Sequence, residues 1–133
     1  MAYLNLAPTL KNTRSITITT ALGGAAYAML YSGVQPTDPS TTVSAGTLLA
    51  ALPMSATAGS SSGGVWTAGA ITTTNASSTG TAGWLRLAAA NTAGAAGIVD
   101  MDVATSGATA TINTTSIVSG GPVVISSIVI TEA

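Results

Sequence analysis

The chain has 133 residues, of which only seven are charged, and it contains no histidine and no cysteine. Because an ordinary soluble domain carries about a quarter of its residues as Asp, Glu, Lys and Arg, this chain lacks most side chains used for acid-base catalysis, nucleophilic catalysis and metal ligation. We therefore predict a protein that is not an enzyme and needs no cofactor or metal. Its neutral surface suggests a building block that other copies or other proteins largely cover.

Net charge and hydropathy limit the class of protein further. The net charge is −1, and three basic residues cannot form the clustered patch that nucleic acid or an anionic membrane requires. No apolar run approaches the roughly 20 residues of a membrane-spanning helix. The first residues lack the pattern of a secretory signal, so we expect synthesis in a cytoplasm and no membrane partner. A mean hydropathy of +0.55 argues against disorder and for one folded domain.

The first element in chain order is an extended arm. Residues 2–9 are apolar, include Pro8 and begin no clear helix or strand. We therefore predict an extended N-terminal arm over residues 1–12 and a single domain over residues 13–133.

Residues 13–24 fit two different structures. Ile16 and Ile18 alternate with threonines, which is typical of a strand over residues 15–20. Ile18 and Leu22 are also spaced as on one helix face, and the glycines that follow would cap a short helix over residues 14–22. The composition favours the strand.

The rest of the chain reads as strands separated by turns. Short apolar stretches rich in β-branched residues recur between clusters of Gly, Pro, Ser and Asn, which is typical of an all-β fold. We predict a single-domain antiparallel β-sandwich, resembling a jelly roll, in which residues 59–64 form a flexible Gly/Ser turn. The predicted strands cover residues 25–31, 47–56, 65–73, 82–89, 98–103, 108–112 and 123–131.

The alternation of side chains along each strand predicts which residues face the core. Leu85 and Leu87 share a core face, so Trp84 and Arg86 point to the opposite side, which we expect to be an interface or a solvated edge. Along residues 98–103 the face that carries Val99, Met101 and Val103 points inward, and the two aspartates point outward. Outside its serine pair, Ser126 and Ser127, the last strand is apolar on both faces, which indicates that it is covered on both sides, within the fold or by a neighbouring subunit.

Asp100 and Asp102 are the first candidate site. Two carboxylates at i and i+2 on one strand face lie about 7 Å apart, a spacing compatible with a glycosidase pair or a Ca²⁺ site. We favour the simpler interpretation that they are solvated charges that keep the strand from pairing incorrectly.

The aromatic residues are the second candidate. Trp and Tyr often contribute to sugar-binding and protein-binding surfaces, but in a chain of small residues they also serve as the largest core fillers, which we favour. Arg86 can stack on Trp84 or pair with an aspartate, and an ion pair is the preferred interpretation. The candidate interface residues are Trp66, Trp84, Arg86, Tyr27, Tyr31, Asp100 and Asp102.

Several motifs, in the same order along nearly the whole chain, resemble a family of small virion proteins of tailed bacteriophages. In the first half they are residues 12–14, 18–20, 23–24, 30–33 and 47–52, and in the second half residues 80–87 (GTAGWLRL), 99–108 (VDMDVATSGA) and 123–131. The resemblance favours the helix over residues 14–22. It also implies that the protein has a structural role and is located in the virion.

Within that class two roles are open, and we favour the first. The first is a capsid decoration, or cement, protein that bridges capsomers and stabilises the head, bound to the major capsid protein or other virion proteins as a homo-oligomer, with a trimer favoured. The second is a collar, head-fibre or tail-fibre module that binds a host surface glycan or another virion protein. The number of copies per virion would distinguish them.

Overall fold

The computed structural model describes residues 7–43, 46–92 and 96–131, and within these ranges it contains one helix and eleven strands. The elements in chain order are α1 (Pro8–Leu22), β1 (Tyr27–Ser32), β2 (Leu48–Pro53), β3 (Gly59–Ser62), β4 (Val65–Ala68), β5 (Thr74–Asn75), β6 (Gly80–Ala88), β7 (Val99–Ala104), β8 (Ala110–Ile112), β9 (Ser116–Ile117), β10 (Pro122–Val123) and β11 (Ile125–Thr131). All seven predicted strands are present. The additional short strands β5, β9 and β10 have two residues each.

The strands form one large, curled sheet of mixed direction. Its order is β2-β1-β6-β7-β8-β11-β4-β3, with β9 paired to β6, and β10 and β5 form a separate two-stranded sheet. The all-β class is therefore confirmed, with the helix as the exception, whereas the jelly-roll sandwich stays a prediction. The prediction of purely antiparallel pairing is wrong at one place, because β7 and β8 are parallel. β8 takes its direction from β11, its antiparallel neighbour on the other side.

Residues 13–24 adopt the helical alternative. Helix α1 begins at Pro8, which suits the first helical position because proline lacks the N–H that would be unpaired there. Gly23 follows the helix with its N–H donated to the carbonyl of Thr19. The strand over residues 15–20 is therefore wrong, and so is the extended arm for residues 8–12. The first six residues of the predicted arm lie outside the described residues.

The Gly/Ser segment is a strand rather than a flexible loop. Residues Gly59–Ser62 pair with β4, and Ser62 faces Val65 across a two-residue turn. The turn residues Gly63 and Gly64 have φ values of 59° and 84°. Positive φ at both central positions defines the hairpin turn whose twist matches that of the flanking strands. The sequence does not predict β3 as a strand because its serines lack the apolar alternation on which strand prediction depends.

The side chains of the sheet enter two cores. The main core contains Leu85, Leu87 and Met101, all buried, as the alternation predicted. A smaller second core lies on the opposite face of β1 and β6 and is built from Met29, Tyr31, Trp84 and Ala88. The central strands are therefore covered on both faces within a single chain. Across the described residues, no helix has the length and apolarity needed to span a membrane.

Candidate functional site

The most elaborate polar arrangement in the molecule is a buried ion pair between neighbouring strands. Arg86 of β6 lies opposite Asp100 of β7 in the sheet register. Its Nε donates to Asp100 Oδ1 at 2.6 Å and its Nη2 to Oδ2 at 2.8 Å, so both carboxylate oxygens accept from one guanidinium. Arg86 is fully buried and the Asp100 side chain is 2% exposed. Such two-point pairing is the strongest form of side-chain ion pair.

A segment that we call the strap, residues 33–43, covers this pair. Arg86 Nη1 donates to the carbonyl of Thr41 at 2.7 Å. The carbonyl of Pro39 accepts from the N–H of Gly97 at 2.8 Å, and Val43 packs on the second core. Three separate contacts therefore hold the strap against the face of the sheet that the sequence assigned to an interface or a solvated edge.

Asp38 gives the strap its local shape. Its Oδ1 accepts from the backbone N–H of Ser40 at 2.8 Å and from the Ser40 hydroxyl at 2.7 Å. These hydrogen bonds, the side-chain one first, lower the pKa of Asp38. An aspartate that bonds the backbone two residues ahead is a common turn device. The sequence run from Asp38 to Thr41 carries this turn signal.

Trp84 and Tyr31 stack beneath the strap. Their ring centroids are 4.7 Å apart and their planes differ by 13°. The guanidinium carbon of Arg86 lies 5.2 Å from the centroid of the Trp84 ring, within the range of a cation–π contact. Both suggested roles of Arg86, the stacking and the ion pair, are therefore present. The indole Nε1 of Trp84 is buried and has no hydrogen-bond partner among the described residues.

The two aspartates have different environments and do not form a carboxylate pair for chemistry. Both oxygens of Asp100 are held by Arg86, and the same hydrogen bonding raises the pKa of Arg86, so the arginine stays charged. Asp102 is exposed, and hydrogen bonding from Thr109 lowers its pKa. Asp102 fits the predicted solvated charge, whereas Asp100 does not because the strap excludes water from it. No cluster of metal-ligating side chains occurs in the ranges that the structure describes.

Trp66 belongs to the contact between the helix and the β3–β4 hairpin. Its side chain is fully buried, and its Nε1 donates to the hydroxyl of Thr19 at 2.8 Å. That hydroxyl donates in turn to the carbonyl of Gly59 at 2.9 Å. Trp66 therefore fills the core, and its indole N–H is hydrogen-bonded. This agrees with the interpretation of the aromatic residues as core fillers rather than as a binding surface.

The candidate interface residues thus fall into two groups. Trp66, Trp84, Arg86 and Tyr31 are buried inside the chain, together with the side chain of Asp100. A direct contact between these five and a partner is a prediction that the structure corrects, because the helix and the strap already cover them. Tyr27 is half-buried at the margin of the second core, and Asp102 is exposed, so these two remain accessible.

The accessible surface is mostly neutral, with scattered apolar residues. Val34 is 84% exposed and Val118 is 61% exposed. Beside Val118 lies a cavity of about 220 Å³ between Asn113 and Val123, lined by uncharged residues. Val124 and Val129, of the final strand segment, are 37% and 41% exposed, so that segment is not covered on both sides within the chain. No protein-family model, curated protein or solved structure matches the chain.

Proposed function

We propose that the chain is a structural protein of a bacteriophage virion, and more specifically a capsid decoration protein that bridges capsomers. Its partners would be the major capsid protein or other virion proteins, and it would bind as a homo-oligomer, with a trimer favoured. The proposal combines the motifs described above with one physical observation, the near absence of charge on the surface.

The structure makes the surface more neutral than the composition alone suggests. Arg86 and Asp100 compensate each other in the interior, which leaves five of the seven charged residues, one of which, Glu132, lies outside the described residues. On the described part of the chain the charges that remain are Lys11, Arg14, Asp38 and Asp102. Symmetric packing places the same side chain of several copies close together, so repeated like charges would repel. A surface with so few charges suits close packing of identical subunits.

Close packing of subunits also requires exposed apolar surface, because burying it against a partner is favourable. Val34, Val118 and Val129 are the clearest examples. Each gains roughly 25 cal/mol for every Å² of apolar surface removed from water. A decoration protein acts mechanically: each copy adds contact area across a capsomer boundary, so the pressure of the packaged DNA must break more interface before the shell opens.

The most specific motifs of the resemblance encode the interior rather than the contact surface. Residues 80–87 correspond to most of β6, and residues 99–108 begin with β7. Trp84, Arg86 and Asp100, which these segments contribute, hold the two strands and the strap together. The motifs therefore support a shared fold within the virion-protein class, and the decoration role rests on the properties of the surface.

Copy number tests the proposal. Purified virions of the phage that encodes the chain would be analysed by quantitative mass spectrometry, with the major capsid protein as the internal standard. Hundreds of copies per particle are expected for a decoration protein. A dozen copies or fewer would exclude that role and favour the collar or fibre module, and absence from the particle would exclude both.

The structure gives less support to the collar, head-fibre or tail-fibre module. In its glycan-binding form, Trp66, Trp84 and the loop tips contact a host glycan, and both indoles are fully buried. A glycan contact would have to use accessible groups such as Tyr27 and the exposed loops, which makes the decoration role the better supported of the two.

A further inference from the structure

We propose that the β3–β4 hairpin is a docking site for helix α1 of a second copy, so that two chains can exchange their helices. The proposal rests on the contacts of α1 and on its connection to β1, and it does not depend on the virion role. The occupant is defined by the site itself, because every copy carries the same helix.

The contacts that hold α1 can be made equally well from another chain. Thr19 joins the helix to Gly59 and Trp66, and the Ser15 hydroxyl contacts the Ser61 hydroxyl. All three contacts cross from α1 to the hairpin. Exchange of an identical element preserves such contacts, which makes it a low-cost route to a dimer.

Helix α1 has little stability of its own. Seven of its fifteen residues are β-branched, a class that loses side-chain freedom in helices. No side chain caps its N-terminus, and its first turn contains no acidic residue. Lys11 lies in the first turn, where the helix dipole disfavours positive charge. The helix therefore depends on the hairpin for its structure, whichever chain supplies that hairpin.

The surface between helix and hairpin is polar enough for the two to separate. Hydroxyl groups make the contacts of Ser15 and Thr19, and the Oδ1 atom of Asn12 is buried without a hydrogen-bond partner in the described part of the chain. An unsatisfied buried oxygen costs free energy in the docked state and regains water when the helix leaves. The apolar anchors are Ile18 and Leu22, near the end of the helix that adjoins the hinge.

The hinge is the glycine pair after the helix. Gly23 has φ 72° and ψ −158°, a conformation that is essentially restricted to glycine. An added Cβ at Gly23 would meet no atom within 4 Å, so a substitution there acts through the backbone alone. Opening the hinge lets Gly23 leave this conformation and directs α1 away from its own hairpin. Short connections of this kind favour exchange between copies.

The absence of cysteine allows a direct test. The Ser15→Cys and Ser61→Cys variants, made separately and carrying different tags, would be mixed at high protein concentration and then oxidised. Only helix exchange brings the thiol on α1 of one copy next to the thiol on β3 of the other. The control for collisional cross-linking is a mixture of Thr81→Cys and Ser116→Cys, two exposed positions that face each other between β6 and β9, away from α1.

The expected result is a disulfide-linked heterodimer in the first mixture, several-fold more abundant than in the control. An equal yield in the two mixtures would overturn the proposal. Gly23→Ala in both partners strains the closed hinge and should raise the heterodimer yield further, and a fall would equally contradict helix exchange. Serine and cysteine are close in size, as are threonine and cysteine, so the fold should be retained in all four cysteine variants.

Discussion

Replacing Asp100 by asparagine should destabilise the protein severely, because it leaves the guanidinium of Arg86 buried without its counter-charge. The carboxylate accepts two hydrogen bonds, at 2.6 and 2.8 Å, and the pair is almost completely inaccessible to solvent. Asparagine keeps one acceptor oxygen, so one charged hydrogen bond worth about 1.5–3 kcal/mol is lost. The uncompensated charge brings the total to about 3–5 kcal/mol. A domain has about 5–15 kcal/mol of stability altogether.

Urea unfolding at neutral pH, followed by tryptophan fluorescence, measures this cost. With a denaturant slope of about 2 kcal/mol per M, a loss of about 4 kcal/mol lowers the midpoint by about 2 M. Asp102→Asn is the matched control on the same strand, and because Asp102 is exposed it should cost less than about 1 kcal/mol. Equal costs for the two variants would refute the reasoning.

A double variant adds a second criterion. Arg86→Met removes the charge that Asp100→Asn leaves uncompensated, so the two changes together should cost clearly less than the sum of the single variants. Strict additivity would mean that the two side chains do not interact in the folded protein.

Three further predictions concern individual side chains. Hydrogen bonding from Thr109 lowers the pKa of Asp102, so the ionised carboxylate stabilises the fold above about pH 4, and this stabilisation is lost as the pH falls through the lowered pKa. Acid unfolding of Asp102→Asn should lack this component. Identical acid unfolding curves for the variant and the wild type would contradict the prediction. An alanine Cβ at Gly97 would overlap with Cγ and Cδ of Arg86, so Gly97→Ala should cost about 1–3 kcal/mol in urea unfolding, and wild-type stability would show that the arginine is free to shift. Trp66→Phe removes the indole N–H that bonds helix α1 and should cost about 1–2 kcal/mol, measured by thermal unfolding with a circular dichroism readout of the helix; an unchanged melting temperature would mean that the bond is not formed.

Strand positions and the faces of the central strands could be predicted from the sequence because they depend on local alternation. Leu85, Leu87 and Met101 follow the period-2 pattern and occupy the main core as expected. The pairing of Arg86 with an aspartate could also be anticipated, since a chain with so few charges offers few partners. The choice of Asp100 over Asp102 depends on the register of β6 and β7, which fixes the residue opposite Arg86.

The remaining features depend on contacts between distant segments. The burial of Trp84 and Arg86 requires the strap, whose Thr41 lies 45 residues before the arginine that it contacts. The helical form of residues 13–22 depends on docking against Trp66, because the local composition favours a strand. The parallel pair β7–β8 similarly depends on where β11 lies. Patterns within a short window carry no information about such pairings.

The most direct test of the decoration role is a rebinding experiment on phage heads that lack this protein. Heads assembled without it would be heated with and without the purified chain, and DNA release would be followed with an intercalating dye. If the chain is a cement protein, it should bind in hundreds of copies per head and raise the temperature at which DNA is released. Heads that bind none of the added chain and release their DNA at the same temperature would contradict the proposed role.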